Sequence, residues 1–154
     1  MKYFNLAIVF SVILLAVVHR PAMAAPGSSA ADVKPAIGGY SPVSYFTENK
    51  AERGSPEFSA EHEGRVYFFT SQEQVELFTA NPKKYRPRYH LCPYSLALGM
   101  VLPLDPTNFK IIGDNLLLFH LSEEKDALKE WEVSKMSKEE LIRRADANLI
   151  EINF

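Results

Sequence analysis

Phe58 to Ser71 reads FSAEHEGRVYFFTS, two β-strands joined by a tight turn. Phe58, Ala60 and His62 alternate with Ser59, Glu61 and Glu63, the period of a strand with one face buried. Glu63-Gly64 supplies the turn, and Val66 to Phe69 is strongly β-forming. Ser71, followed three residues later by Gln74, is a capping-box signature that opens a short helix. Val75, Leu77 and Phe78 give that helix its apolar content. It stops at Asn81-Pro82, because proline cannot continue a helix.

A second hairpin is expected downstream, from Phe109 to Ile112, through a Gly113-Asp114 turn, to Asn115–Leu121. The last third of the chain is helical. Ala127, Leu128 and Trp131 share one face of a first helix, and Leu141, Ile142, Ala145 and Leu149 share one face of a second. Ser137 and Glu140 are placed to cap the second helix, with Glu139–Arg143 and Glu140–Arg144 as i,i+4 ion pairs on its wet side. The fold class is α+β: a small single domain over residues 36–150 with two β-hairpins, a short central helix and C-terminal helices.

Upstream, residues 25–35 are small, polar and aperiodic, the composition of a flexible leader. Residues 1–24 read as a signal peptide. Lys2 gives a positive start, Leu6 to Val18 is apolar, and Ala22-Met23-Ala24 places the cut between Ala24 and Ala25. At ~1.5 Å per residue the apolar run spans about 20 Å, short of the ~30 Å hydrocarbon core. The expected location is therefore periplasmic or secreted, with no stable membrane span after cleavage. Removing Lys2 and Arg20 leaves 15 basic residues against 19 acidic ones. That balance, with no Lys/Arg run, argues against nucleic acid as a partner. Neither a phosphate loop, a dinucleotide fingerprint, a Gly-x-Ser-x-Gly nor a His-Glu-x-x-His occurs.

Chemistry concentrates in Lys83–Pro103, which holds Cys92, the only cysteine of the chain. A lone thiol in an oxidising compartment is buried and inert, metal-bound, paired with another molecule, or reactive. A reactive thiol needs a cation, a base or a helix N-terminus nearby. His90 lies two residues away as base or electrostatic partner, an external thiol would resolve the product, and a helical turn is expected from Tyr94. With no Cys-x-x-Cys there is no in-chain resolving thiol. Cys92, His90 and Met100 are the soft donors of a copper(I) set. Tyr85, Tyr89 and Tyr94 are the candidate pocket residues. His62 reads as a solvated strand-end residue and His120 as a histidine facing the core and satisfied by hydrogen bonding.

Three segments together resemble the YHS domain in its secreted, stand-alone form: Ala36-Ile37-Gly38-Gly39-Tyr40-Ser41-Pro42-Val43-Ser44-Tyr45-Phe46, then Gly64 to Tyr85, then Cys92 to Gly99. Phe78-Thr79-Ala80-Asn81-Pro82-Lys83-Lys84-Tyr85 is the most specific element. The resemblance implies a small α+β module. In metal-binding YHS modules, such as those attached to copper-exporting pumps, cysteines occupy the positions that match Ser44, Thr70 and Gln74 here. The secreted class carries one cysteine, in a Tyr-Gly-Gly-Tyr-Cys-Ala-Tyr context that matches Cys92. This chain is one residue shorter there, lacks both glycines, and has Pro93 after the cysteine. The expectation is a non-enzymatic ligand-binding protein with copper as leading ligand. The alternatives are a thiol-dependent redox protein using Cys92 and an interaction module with an inert cysteine. Oligomeric state is left open.

Overall fold

A computed structural model describes residues 34–152. The expected signal peptide and leader residues 25–33 lie outside the described residues. The described chain is an α+β domain with two separate antiparallel hairpins and six α-helices.

The first hairpin pairs β1 (Ser55–His62) with β2 (Arg65–Phe69), with His62 opposite Arg65. Glu63 and Gly64 both take positive φ, 50° and 70°, the two-residue turn whose twist matches the flanking strands. β1 begins three residues earlier than the alternation suggests, because a bulge between Ser55 and Ser59 lets the strand bend and keep pairing. His62 corrects an expectation: it is half-buried, with its ring edge-on to Phe78 at 6.0 Å between centroids. Phe58, Ala60 and His62 share the inward side, so the period that buries the phenylalanine also carries the histidine in.

A four-residue helix, α1 (Ser44–Thr47), precedes the hairpin, and α2 (Gln72–Ala80) follows it. Ser71 Oγ accepts from Gln74 N at 3.4 Å, as the capping signature predicts. The Gln74 side chain reaches back one residue past the cap, its Oε1 accepting from Thr70 N at 3.2 Å, and also accepts from the Ser41 hydroxyl. Leu77 is left on the surface while Phe78 is 1% exposed. Asn81 closes one helix and opens the next. Its N–H donates to Leu77 O and Phe78 O, and its Oδ1 accepts from Lys84 N, the third residue of α3 (Pro82–Tyr85). Proline at the first helical position loses no bond there. This junction brings Phe78 and Tyr85 into one cluster with Val43, Tyr67 and Phe69.

α4 (Pro93–Ala97) is the short helix anticipated after Cys92. β3 (Phe109–Ile112) and β4 (Asn115–Leu118) form the second hairpin, whose pairing stops three residues short of the expected Leu121. β4 does not alternate. Leu116 and Leu118 pack with Tyr45, while Leu117 and Phe119 pack with Trp131 and Cys92, so the strand is buried on both faces and separates two cores. His120, beyond the strand, is half-buried with Nδ1 3.0 Å from Pro103 O; the expected hydrogen bond is present, but the expected core position is not.

α5 (Ala127–Val133) and α6 (Lys138–Ile152) bury the faces read from the sequence, Trp131 with Ala127 and Leu141 with Ala145. Ser137 caps α6 by accepting from Glu140 N at 3.1 Å. Arg144 pairs with Glu140 as expected, at 2.7 Å. Arg143 also takes Glu140, at 2.8 Å, rather than Glu139, and two guanidiniums on one carboxylate hold Glu140 down at about 2. No described helix is long and apolar enough to cross a membrane.

Gly54 ties the first hairpin to the chain before it, its N–H donating to Gly39 O at 2.8 Å. A Cβ there would stand 2.5 Å from the backbone of Phe68 and of Phe69. Because backbone cannot rotate away, Gly54→Ala is expected to cost about 1–3 kcal/mol in urea denaturation. Unchanged stability would contradict this packing.

Candidate functional site

From Arg86, which has extended φ/ψ of −63° and 148°, to Leu91 the chain runs outside regular structure. It lies along β4 through a parallel bridge between Pro87 and Leu116, with Arg88 N–H donating to Leu116 O at 3.0 Å. Extended backbone sends successive side chains to opposite sides. Pro87 and Tyr89 therefore point into the protein, and Arg86, Arg88 and His90 point outward.

Tyr89 fixes this arrangement. It is 2% exposed, and its hydroxyl donates to Asp146 Oδ1 of α6 at 2.7 Å. Arg88 completes the node: its guanidinium donates to Asp146 Oδ2 at 2.9 Å, to the Tyr89 hydroxyl at 3.0 Å and to Asn115 Oδ1 at 3.0 Å. Burial, together with the bond to Asp146, pushes the Tyr89 phenol well above its ordinary value, so it remains a donor. Arg88 is thereby occupied, while Arg86 has only Glu63 nearby, at 3.9 Å, and a 3.4 Å contact to Pro87 O.

The outward residues line two clefts. One, of about 610 Å³, lies between the Glu63-Gly64 turn, Arg65, Arg86, Arg88 and the end of α6. The other, of about 510 Å³, is floored by Ile37, Val66, Tyr67 and Leu104 and flanked by prolines. Arg65, His90 and Leu91 are walls of both. Partial burial, then the charges of Arg65 and Arg86, lower the His90 pKa from its usual 6.5, so the imidazole is mainly neutral at neutral pH.

The residues expected to act together are not brought together. Cys92 has no exposed surface; it packs with Tyr89, Leu96, Phe119 and Trp131, and its backbone bonds to Leu102 O and Leu96 N. His90 faces the clefts, and Met100 is 41% exposed beyond the end of α4. The alternation that puts His90 outside puts Tyr89 inside, and the chain then turns Cys92 inward to cap α4. Among the described residues no three His, Cys, Asp or Glu side chains are grouped to hold a metal. Tyr85 and Tyr94 are likewise packing residues: Tyr85 meets Phe46 edge-on at 5.6 Å, and Tyr94 meets Trp131 at 6.4 Å. Tyr89 touches a neighbouring cleft beside Asp146, but its ring is core.

Ser44 and Gln74 meet by their side chains, and Thr70 joins them by its backbone N–H. Gln74 Nε2 donates to Ser44 Oγ at 3.0 Å, and Gln74 Oε1 accepts from Thr70 N at 3.2 Å and from Ser41 Oγ at 2.6 Å. A hydroxyl and an amide do not replace thiolates for a soft metal, and here both are spent on each other. The network is structural. Arg65 was not singled out from the sequence as a cleft residue. The spacing Arg86-x-Arg88-x-His90 was the available signal for the outward row.

Compared with family models, with curated proteins and with solved structures, the chain matches none.

Asp146→Ala would leave the buried Tyr89 hydroxyl without its acceptor and Arg88 without its counter-charge. Stability is expected to fall by about 1–3 kcal/mol in chemical denaturation, the range for orphaning a buried polar group. A loss under a few tenths of a kcal/mol would show that the node does not hold the segment.

Proposed function

We propose that this chain is an exported, non-enzymatic ligand-binding protein of the YHS type, whose ligand is taken at the cleft walled by Arg65, His90 and Leu91. Export follows from residues 1–24 read as a signal peptide, and the YHS reading rests on the three segments that carry the resemblance. The meeting of Ser44, Gln74 and the Thr70 backbone, at the positions that the resemblance sets against metal cysteines, supports it.

The observation that carries the binding reading is a cleft of about 510 Å³ walled by Arg65, His90 and Leu91, within the ~300–1,000 Å³ of small-molecule sites. Copper fits less well than the resemblance suggests, because Cys92 is sealed and Met100 and His90 lie apart from it. The thiol-redox reading meets the same obstacle, since a nucleophilic thiolate must be reachable. Cys92 serves instead as a small buried hydrophobe under α4.

Alkylation of the purified protein with a thiol reagent, from about pH 5 to pH 9 and with or without copper(I), tests this division of labour. Cys92 is expected to stay unlabelled at every pH until denaturant is added, with copper making no difference. Fast labelling of the native protein below about pH 7 would restore the redox reading, and copper protection of a native-state reaction would restore the metal reading.

A further inference from the structure

Tyr67 is 1% exposed, and its ring is packed against Phe78 at 4.9 Å. Its hydroxyl makes no hydrogen bond within the described protein, although it belongs to the wall of the apolar cleft. Buried phenols ordinarily find a partner. Burial raises the Tyr67 pKa while Arg65 and Arg86 pull it the other way and Glu63 adds to the rise, so the group is a neutral donor close to those three charges. An unspent donor, the Arg65 guanidinium and the His90 imidazole thus line one cleft, and Arg86 lines the adjoining one that shares Arg65 and His90.

We infer that this junction binds a small amphiphilic carboxylate, its head accepting from the Tyr67 hydroxyl beside Arg65 and Arg86 and its apolar body lying over Ile37, Leu91 and Leu104. The inference rests on the ligand-binding reading above and names the class of ligand. The charges at the junction favour an anion. Arg65 and Arg86 face one carboxylate, Glu63, which leaves one positive charge uncompensated. His90 is mainly neutral at neutral pH, and Arg88 is held by Asp146. Lys34 also lines the apolar cleft, and the residues that α6 contributes to the cationic cleft, Leu149 and Ile152, carry no side-chain charge. A head group alone, phosphate or acetate, would leave the apolar wall of Ile37, Leu91 and Leu104 uncovered.

Octanoate is a suitable probe, with acetate and inorganic phosphate as head groups lacking the body and 1-octanol as the body lacking the charge. Each is titrated into the purified protein, with the ring resonances of His90 followed by NMR. Octanoate is expected to shift them saturably, and the other three to bind at least about tenfold more weakly. Tyr67→Phe removes only an unpartnered oxygen, so its unfolding midpoint should match the wild type while octanoate binding weakens about five- to tenfold. Arg65→Ala, at an exposed position, should weaken it as much or more. His90 resonances unmoved by octanoate, equal binding by Tyr67→Phe, or phosphate or acetate binding as tightly as octanoate would overturn the inference. None of those results would disturb the sealed state of Cys92, so the two readings fail separately.

Discussion

The hydrogen bond from the Tyr89 hydroxyl to Asp146 governs what this protein presents to solvent. Residues 86–91 have no regular secondary structure of their own, yet their side chains are sorted by side as in a strand. One parallel bridge to β4 and one buried phenol anchored on α6 tie the segment down at two points. With Tyr89 inside, Arg86, Arg88 and His90 must face out. With the cap of α4 set at Cys92, the thiol must face in.

That sorting separates two chemistries that the sequence places side by side. His90 and Cys92 are two residues apart, and proximity along the chain suggests a base beside a nucleophile. In space they serve different regions, His90 a cationic cleft and Cys92 the core around Trp131. Sequence spacing alone carries this error whenever the conformation between two residues is unknown. The positions that the YHS resemblance sets against metal cysteines behave in the opposite way. Ser44 lies thirty residues from Gln74 yet bonds to its side chain, in a network that Thr70, four residues before Gln74, joins by its backbone N–H.

Much of the fold was legible because its determinants are local. Glu63-Gly64 specifies its turn through backbone conformation, Ser71 and Asn81 specify helix ends through their side-chain oxygens, and the faces of α5 and α6 follow from a 3.6-residue period. β4 was legible as a strand but not as a partition, since Leu116 to Phe119 is a continuous apolar run and only the position of α5 and α6 shows that both faces are covered. The cleft was the least legible part. Tyr67 reads as one aromatic in a β-forming run, and nothing local distinguishes a phenol that finds a partner from one that does not. Arg65 reaches the cleft only because the hairpin docks beside Pro87 and Leu91, a relation set by the packing of Phe78 and Tyr85.

The central claim is that residues 86–91 hold His90 in a partly desolvated position beside Arg65 and Arg86. An NMR titration of the His90 imidazole in the wild type and in Arg65→Ala tests this most directly. Both causes disfavour the charged form, so the wild-type midpoint should lie below the unperturbed value of 6.5, and removing one guanidinium should move it upward. A midpoint at or above 6.5 in the wild type, or one that Arg65→Ala leaves in place, would contradict the account.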